Sequence, residues 1–187
     1  MEKHCCICNR KEEKSFLGLT SNMRTCKWCN KNCCSNCIRN VSENIFLMSR
    51  ERDLLQDLNR KYHVKNLCPN CYNLYIEDYE KMRNAINNNQ DVRYFPKTYS
   101  GVINFVGETF TLETKFHEDR DDAMEELRIF AKFYGCNTII KGEFYWEEWE
   151  DEKENERGRI YKYRYKVWAC SGIAVNRVEK QSQKRRY

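Results

Sequence analysis

Four Cys-x-x-Cys pairs constrain the fold of this chain more than any other feature of its sequence. They begin at Cys5, Cys26, Cys34 and Cys68 and end at Cys8, Cys29, Cys37 and Cys71. A gap of two residues lets one tight turn present two sulfurs to a tetrahedral ion, and two such pairs complete a closed four-thiolate site. The sequence therefore predicts two structural zinc ions per chain.

The spacing of the pairs limits how they can combine. Only four residues separate Cys29 from Cys34, too few for the second and third pairs to fold as isolated ribbons. We therefore expect an interleaved arrangement, in which the first pair joins the third and the second joins the fourth. Sequential pairing is the alternative. Interleaving predicts two ligand sets: Cys5, Cys8, Cys34 and Cys37 at site 1, and Cys26, Cys29, Cys68 and Cys71 at site 2.

The cysteines also divide the chain into two parts. Ten of the twelve precede residue 72, and only Cys136 and Cys170, which we expect to be small buried residues, follow. Residues 1–94 carry 16 Lys and Arg against 11 Asp and Glu, a net charge of +5, whereas residues 95–187 carry 17 of each. The basic half permits an anionic partner but does not require one.

The sequence begins without a signal-peptide pattern, and no apolar run approaches the roughly 18 residues that a membrane span requires. We therefore expect a soluble cytoplasmic protein. In a reducing compartment, closely spaced cysteines bind metal more often than they form disulfides. This expectation agrees with the zinc prediction.

The spacing CxxC-x17-CxxC-x4-CxxC-x30-CxxC and the segment "VKNLCPNCYNLY" resemble FYVE and FYVE-related zinc fingers. The resemblance covers about residues 4–90 and implies a treble-clef module with two interleaved sites and a terminal helix. Apolar residues recur at helical spacing in two segments of this half. They are Tyr75, Tyr79, Met82 and Ile86 after the last pair, and Leu54, Leu55, Leu58 and Tyr62 before it.

The lipid-binding motifs of true FYVE domains are not matched. No Trp-x-x-Asp precedes Cys5, the basic segment before the third pair keeps only Lys31, and no Arg-Val precedes Cys68. A phosphoinositide headgroup needs several converging cations. Arg24, Lys27 and Lys31 are the candidate ligand-binding residues that remain.

A RING ubiquitin-ligase module also interleaves two zinc ions, but it usually places a histidine in its central ligand group, where this chain has cysteines. His4 and His63 are alternative ligands at the edges of the sites, and Cys6 and Cys33 adjoin proposed ligands. We expect all four to be surface or packing residues.

The second half alternates between strand and helix patterns. We predict a two-zinc module with a terminal helix at residues 1–90, a linker at 91–100, an α+β domain at 101–178 and a basic tail at 179–187. "GVINFVGETFTLETKF" predicts one or two strands, "EDRDDAMEELRIFAKFYG" a helix that ends at Gly135, and "NTIIKGEFYWEEW" and "RIYKYRYKVWACSGIAV" two long strands joined by the loop "EDEKENERG". The predicted fold class is thus α+β, with one helix across a small antiparallel sheet.

Residues 99–178 resemble the YbjQ-like, dodecin-like domains. The likeness rests on two segments: Ala131, Gly135 and Asn137 to Ile140 at the end of the helix, and Ser171 to Val175 in the closing strand. The resemblance implies ring-like homo-oligomers and does not imply a particular activity. In "IYKYRYKVW" we expect the aromatics to face the helix, and the cations to lie opposite Glu143, Glu147 and Glu148.

No phosphate-binding loop, nucleophile elbow or dinucleotide fingerprint occurs, and His117, just before the helix, reads as a surface residue near its cap. We therefore expect no enzymatic activity. The sequence favours a zinc-binding adaptor, in which an oligomerising domain presents FYVE-like modules to a protein partner. A peripheral membrane protein is the first alternative, a RING-like ubiquitin ligase the second, and nucleic acid ranks below a protein or membrane partner.

Overall fold

The computed structural model contains both helices and strands, which agrees with the predicted α+β class. It describes residues 3–13, 21–40, 49–58, 66–156 and 158–178. None of the helices described there is long and apolar enough to cross a bilayer. The chain divides into two compact units, residues 1–83 and residues 84–187. All four Cys-x-x-Cys pairs therefore belong to the first unit.

Short strands and helices build the first unit. In chain order they are β1 (Met23–Thr25), β2 (Asn32–Cys34), β3 (Arg39–Asn40), α1 (Ser49–Asp57), β4 (Asn66–Leu67) and α2 (Pro69–Asn88). Strand β1 pairs antiparallel with β2, and β3 pairs antiparallel with β4. Pro69 suits the first position of α2, because the N–H that proline lacks would have no partner within the helix.

The two helices predicted in this half are present. Their predicted inner faces include five buried residues: Tyr75, Tyr79 and Met82 on α2, and Leu54 and Leu55 on α1. Ile86 and Leu58 are half-buried, and Tyr62 lies outside the described residues. The 3.6-residue periodicity therefore identified the packing faces correctly.

Beyond the end of α2, a mixed four-stranded sheet and one helix make up the described part of the second unit. Its elements are a 3₁₀ turn (Asn89–Asp91), β5 (Arg93–Pro96), β6 (Phe105–Glu113), α3 (Arg120–Phe133), β7 (Thr138–Glu154) and β8 (Ile160–Arg177). The strand order is β5-β7-β8-β6. Strand β5 runs parallel to β7, and the other neighbours are antiparallel.

The predicted linker at residues 91–100 needs correction, because it contains β5. The Arg93 N–H donates to the Asn137 carbonyl over 3.0 Å, which joins β5 to the end of the sheet where β7 begins. The sheet is therefore mixed and not purely antiparallel. Pro96 fits an edge strand, where a missing N–H leaves no ladder bond unmade, yet in the sequence it resembled a loop signal.

Helix α3 has the start, the stop and most of the inner face predicted for it. The Asp119 side chain caps it by accepting from the Asp121 N–H at 2.8 Å. Gly135 follows the helix with φ of 75°, a conformation that suits glycine at a helix end. The predicted face includes four buried residues: Ala123, Leu127, Phe130 and Ala131. Tyr134 is only half-buried.

Strands β7 and β8 continue beyond the four-stranded part as a two-stranded extension, which we call the ribbon (residues 143–154 and 160–170). The predicted loop was too long, because residues 150–154 belong to β7. Cross-strand pairs of opposite charge stabilise the extension: Glu148–Lys166, Glu150–Arg164 and Glu152–Lys162. The Glu150 carboxylate accepts from Lys162 at 3.0 Å and from Arg164 at 3.3 Å.

Two details of the predicted hairpin are wrong. Of the acids predicted to face the cations only Glu148 does so, because Glu143 and Glu147 lie opposite Ser171 and Val167. The aromatics of β8 were expected to pack on the helix. Instead Tyr161 is 46% and Tyr163 39% exposed, since they lie on the ribbon.

Candidate metal centres

Each Cys-x-x-Cys pair lies on a turn closed by the same backbone hydrogen bond. The carbonyl of the first cysteine accepts from the N–H four residues later, over 2.9 to 3.0 Å; the donors in chain order are Asn9, Asn30, Ile38 and Tyr72. Asn9 and Asn30 have φ of 57° and 59°, a left-handed conformation that asparagine adopts more readily than most residues. Local sequence therefore shapes each pair before any metal is considered.

Backbone hydrogen bonds then bring distant pairs together in the interleaved order. The Cys6 N–H donates to the Asn32 carbonyl at 2.8 Å, which places the first turn beside β2, the strand that leads into the third pair. The Lys27 N–H donates to the Asn66 carbonyl at 3.1 Å, which places the second turn beside β4, the strand that leads into the fourth pair. These two hydrogen bonds thus set the first pair beside the third and the second pair beside the fourth.

The eight sulfurs form two groups of four, and these are the two sets that interleaving predicts: Cys5, Cys8, Cys34 and Cys37, and Cys26, Cys29, Cys68 and Cys71. Within each group the sulfurs lie within 4.8 Å of one another. The Sγ atoms of Cys8 and Cys34 are 3.6 Å apart, and those of Cys29 and Cys68 are 3.8 Å apart. Four sulfurs bonded tetrahedrally at about 2.3 Å to one ion would be about 3.8 Å apart. Each group could therefore hold a metal ion.

The two groups share one pattern of burial. In chain order each has a buried, an exposed, a buried and a half-buried cysteine. Burial opposes ionisation of Cys5, but N–H groups of Cys8, Cys34 and Ile7 outweigh it and lower the pKa of its thiol to about 6. Burial is likewise outweighed at Cys26, where N–H groups of the backbone lower the pKa to about 6. Such N–H groups stabilise the thiolate form that binds metals.

We expect acid to release metal from both groups. Protons compete with the metal for thiolates, so affinity falls as the pH falls. Even Cys5 and Cys26, whose pKa in the absence of metal is lowered to about 6, are protonated well below that pH. The measurement is a titration of the metal-loaded chain with a chromogenic chelator that reports free ion. Full retention down to about pH 4 would contradict it.

The other predicted residues fall outside the two groups. His4 is exposed and belongs to neither, and His63 lies outside the described residues. Arg24, Lys27 and Lys31 are exposed, Arg24 on β1 and the other two at the second turn. The ligand-binding role of these three cations stays a prediction.

Cys6 and Cys33 belong to neither four-cysteine group, yet they lie together. Their Sγ atoms are 3.2 Å apart, Cys33 is fully buried and Cys6 is exposed. Sequence reasoning treated each as an isolated neighbour of a ligand. The signal was present nonetheless, because each non-ligand cysteine directly adjoins a ligand of site 1.

The second unit contains buried groups of another kind. Cys136 and Cys170 are the small buried residues predicted, and burial raises the pKa of both thiols, that of Cys170 to about 11. His117 is not the surface residue expected. Its ring pairs with the buried carboxylate of Glu126, and its backbone exchanges two hydrogen bonds with Trp168. No sequence motif links these residues, so the pairing was not predictable.

Comparisons with known proteins add nothing to the geometry of the sulfurs. A scan against protein-family models and searches of curated proteins and of solved structures found no match for this chain. The resemblances to FYVE-related fingers and YbjQ-like domains therefore rest on the residues that carry them.

Proposed function

We propose that this chain is a non-catalytic zinc-binding protein that acts by binding another protein. The observation that carries the zinc assignment is the completeness of both four-cysteine groups. Tetrahedral sets of four thiolates favour zinc or iron over magnesium, calcium and manganese, which prefer oxygen ligands. Elemental analysis separates zinc from iron.

A structural role follows from the closed ligand sets. Four thiolates complete the tetrahedral coordination of zinc, so neither group leaves an open position at which a water molecule could be activated. Zinc bound in this way contributes directly to folding free energy. We therefore propose that the ions hold the first unit together and take no part in a reaction.

The arrangement of the turns supports a FYVE-related treble clef. Each group takes one turn whose first cysteine bonds back across the loop, from Cys5 N–H to Arg10 O at 2.9 Å and from Cys26 N–H to Lys31 O at 2.8 Å. The other turn of each group follows a short strand, and the last one opens α2. In such a module the metal ions replace the large apolar core that a short chain cannot build.

Exposed aromatic residues of the ribbon support the proposed binding to a protein. Trp146 and Trp149 are 50% and 43% exposed, and Tyr161, Tyr163 and Ile160 are also exposed. Trp and Tyr are enriched at protein interfaces, because they bury a large area at little cost in conformational entropy. We propose that the YbjQ-like second unit oligomerises and so multiplies weak contacts through effective concentration.

Native mass spectrometry of the purified full chain tests this function, because it reports metal per chain and subunit number together. We expect two zinc ions per chain in a defined oligomer. The variant Cys26→Ser should lose the ion of site 2, whereas Cys136→Ser, a buried cysteine outside both groups, should keep both. A chain that carries one ion or none would overturn the zinc assignment, and a monomer would overturn the multiplied binding.

Binding to an anionic membrane is the alternative, and it depends on the exposed cations of the first unit. Flotation with liposomes containing phosphatidylserine or phosphatidylinositol 3-phosphate distinguishes it. Salt-sensitive binding that is lost when Arg24, Lys27 and Lys31 are all replaced by Ala would favour the membrane. No flotation with either liposome would favour a protein partner.

A further inference from the structure

We propose that Cys6 and Cys33 form a redox-active dithiol beside site 1, which a small disulfide such as oxidised glutathione converts to an intramolecular disulfide. The carrying observation is geometric. The two Sγ atoms lie 3.2 Å apart, although 27 positions separate the residues in sequence. Neither sulfur belongs to a four-cysteine group, so both stay available when the groups hold metal.

The surroundings of the two sulfurs give them different roles in the exchange reaction. Cys6 is exposed and can meet a soluble oxidant, whereas Cys33 is fully buried and cannot. The buried Cys33 sulfur contacts the sulfur of Cys6. Cys6 is therefore the attacking thiol, and Cys33 is the resolving thiol.

The main chain holds the pair in register. The Cys6 N–H donates to the carbonyl of Asn32, the residue before Cys33, at 2.8 Å. Cys33 lies in β2, where its neighbour across the ladder is Arg24. A bond between the sulfurs needs them to approach by about 1 Å, since a disulfide is about 2.05 Å long, and side-chain rotation can supply that movement.

The exchange proceeds in two balanced steps. The Cys6 thiolate attacks one sulfur of glutathione disulfide, which forms a mixed disulfide and releases one glutathione thiolate. The Cys33 sulfur then gives up its proton and attacks the Cys6 sulfur, which releases the second glutathione. Two protein thiols are oxidised, one small disulfide is reduced to two thiols, and the two protons pass to the released glutathione.

Site 1 directs the oxidation to this pair. Cys5 and Cys34, the chain neighbours of Cys6 and Cys33, are ligands, and a thiolate that donates its electrons to a metal is a weaker nucleophile than a free one. The dithiol takes up the oxidant while the ligands remain bound. The new bond then joins the two chain segments that supply site 1. This selectivity rests on the proposed metal sites, because the ligand cysteines are protected from thiol–disulfide exchange only while they bind metal.

The test treats the metal-loaded full chain with glutathione disulfide and follows native mass and peptide maps. We expect loss of the mass of two hydrogen atoms, a Cys6–Cys33 linked peptide, and an unchanged metal count. In Cys33→Ser the resolving thiol is missing, so a glutathione adduct should persist on Cys6. If that buried change prevents folding, Cys33→Ala replaces it, and Cys6→Ser should give neither adduct nor crosslink.

The outcomes separate the inference from the proposed function. Retained metal without a Cys6–Cys33 peptide would overturn the dithiol and leave the metal sites intact. A chain that holds no metal before the oxidant is added would instead overturn the metal sites. Ligand cysteines that oxidise before Cys6, with loss of metal, would also overturn the dithiol, because the selectivity would be absent.

Discussion

Removal of metal is expected to unfold the first unit while the second stays folded. Structural zinc contributes an apparent binding free energy of about 10–16 kcal/mol in small zinc domains, which matches or exceeds the total stability of most domains. Apart from cysteines, few large hydrophobic side chains are buried in the described part of residues 1–83: they are Tyr75, Tyr79, Met82, Leu54, Leu55 and Leu67. Apolar burial cannot replace the ions.

Hydrogen exchange with mass spectrometry resolves this result along the chain. The amides of Cys5 and Cys26 donate within their own turns, and that of Cys6 donates to the Asn32 carbonyl. After treatment with a strong chelator, we expect all three amides to lose protection. Amides of β7 and β8 should exchange as before. The variant Cys34→Ser should reproduce the loss without a chelator, and Cys170→Ser should not. Full protection of the turns after complete chelation would contradict the expectation.

The substitution Phe130→Ala is expected to destabilise the second unit by about 3–5 kcal/mol. Phe130 is 1% exposed on α3, where its loss leaves a cavity between helix and sheet. Chemical denaturation of the metal-loaded chain, followed by far-ultraviolet circular dichroism, measures the change. Exchange data assign the transition to the second unit, because a chain of two units need not unfold in a single step.

Phe105→Ala is the matched control. It removes the same side chain from β6, an edge strand of the same sheet, but Phe105 is 43% exposed. We expect it to cost less than about 1 kcal/mol. Equal effects of the two substitutions would mean that Phe130 does not anchor the packing of the helix on the sheet.

The cysteine pairs show where sequence reasoning succeeds. Their spacing allows few arrangements, and the four residues between Cys29 and Cys34 favour interleaving, which is the grouping that the structure has. The same reasoning missed the proximity of Cys6 and Cys33. That proximity follows from the interleaved pairing, since Cys6 adjoins Cys5 and Cys33 adjoins Cys34, and a hydrogen bond between the first turn and β2 fixes it.

In the second unit, the helix was predictable from the sequence, and parts of the sheet were not. Helix α3 was predictable because its cap, its stop and its periodicity lie within one segment. Strand β5 was not, because four residues ending in Pro96 gain strand character only from the neighbouring β7. The length of the ribbon was missed for a similar reason. Residues 150–154 favour a loop by composition, and only their cross-strand partners stabilise them as a strand.

The charge distribution of the ribbon constrains the symmetry of any assembly formed along its edges. Six of the eight residues 147–154 of β7 are acidic, whereas residues 160–166 of β8 carry three cations and no acid. A two-fold axis would place β7 beside β7, or β8 beside β8, and so bring like charges together. Opposite charges meet only when β7 of one copy adjoins β8 of the next. Edge-to-edge contacts of the ribbon are therefore head-to-tail. Such contacts form a closed ring only if the rotations between successive copies add up to 360°, and otherwise they form an open filament.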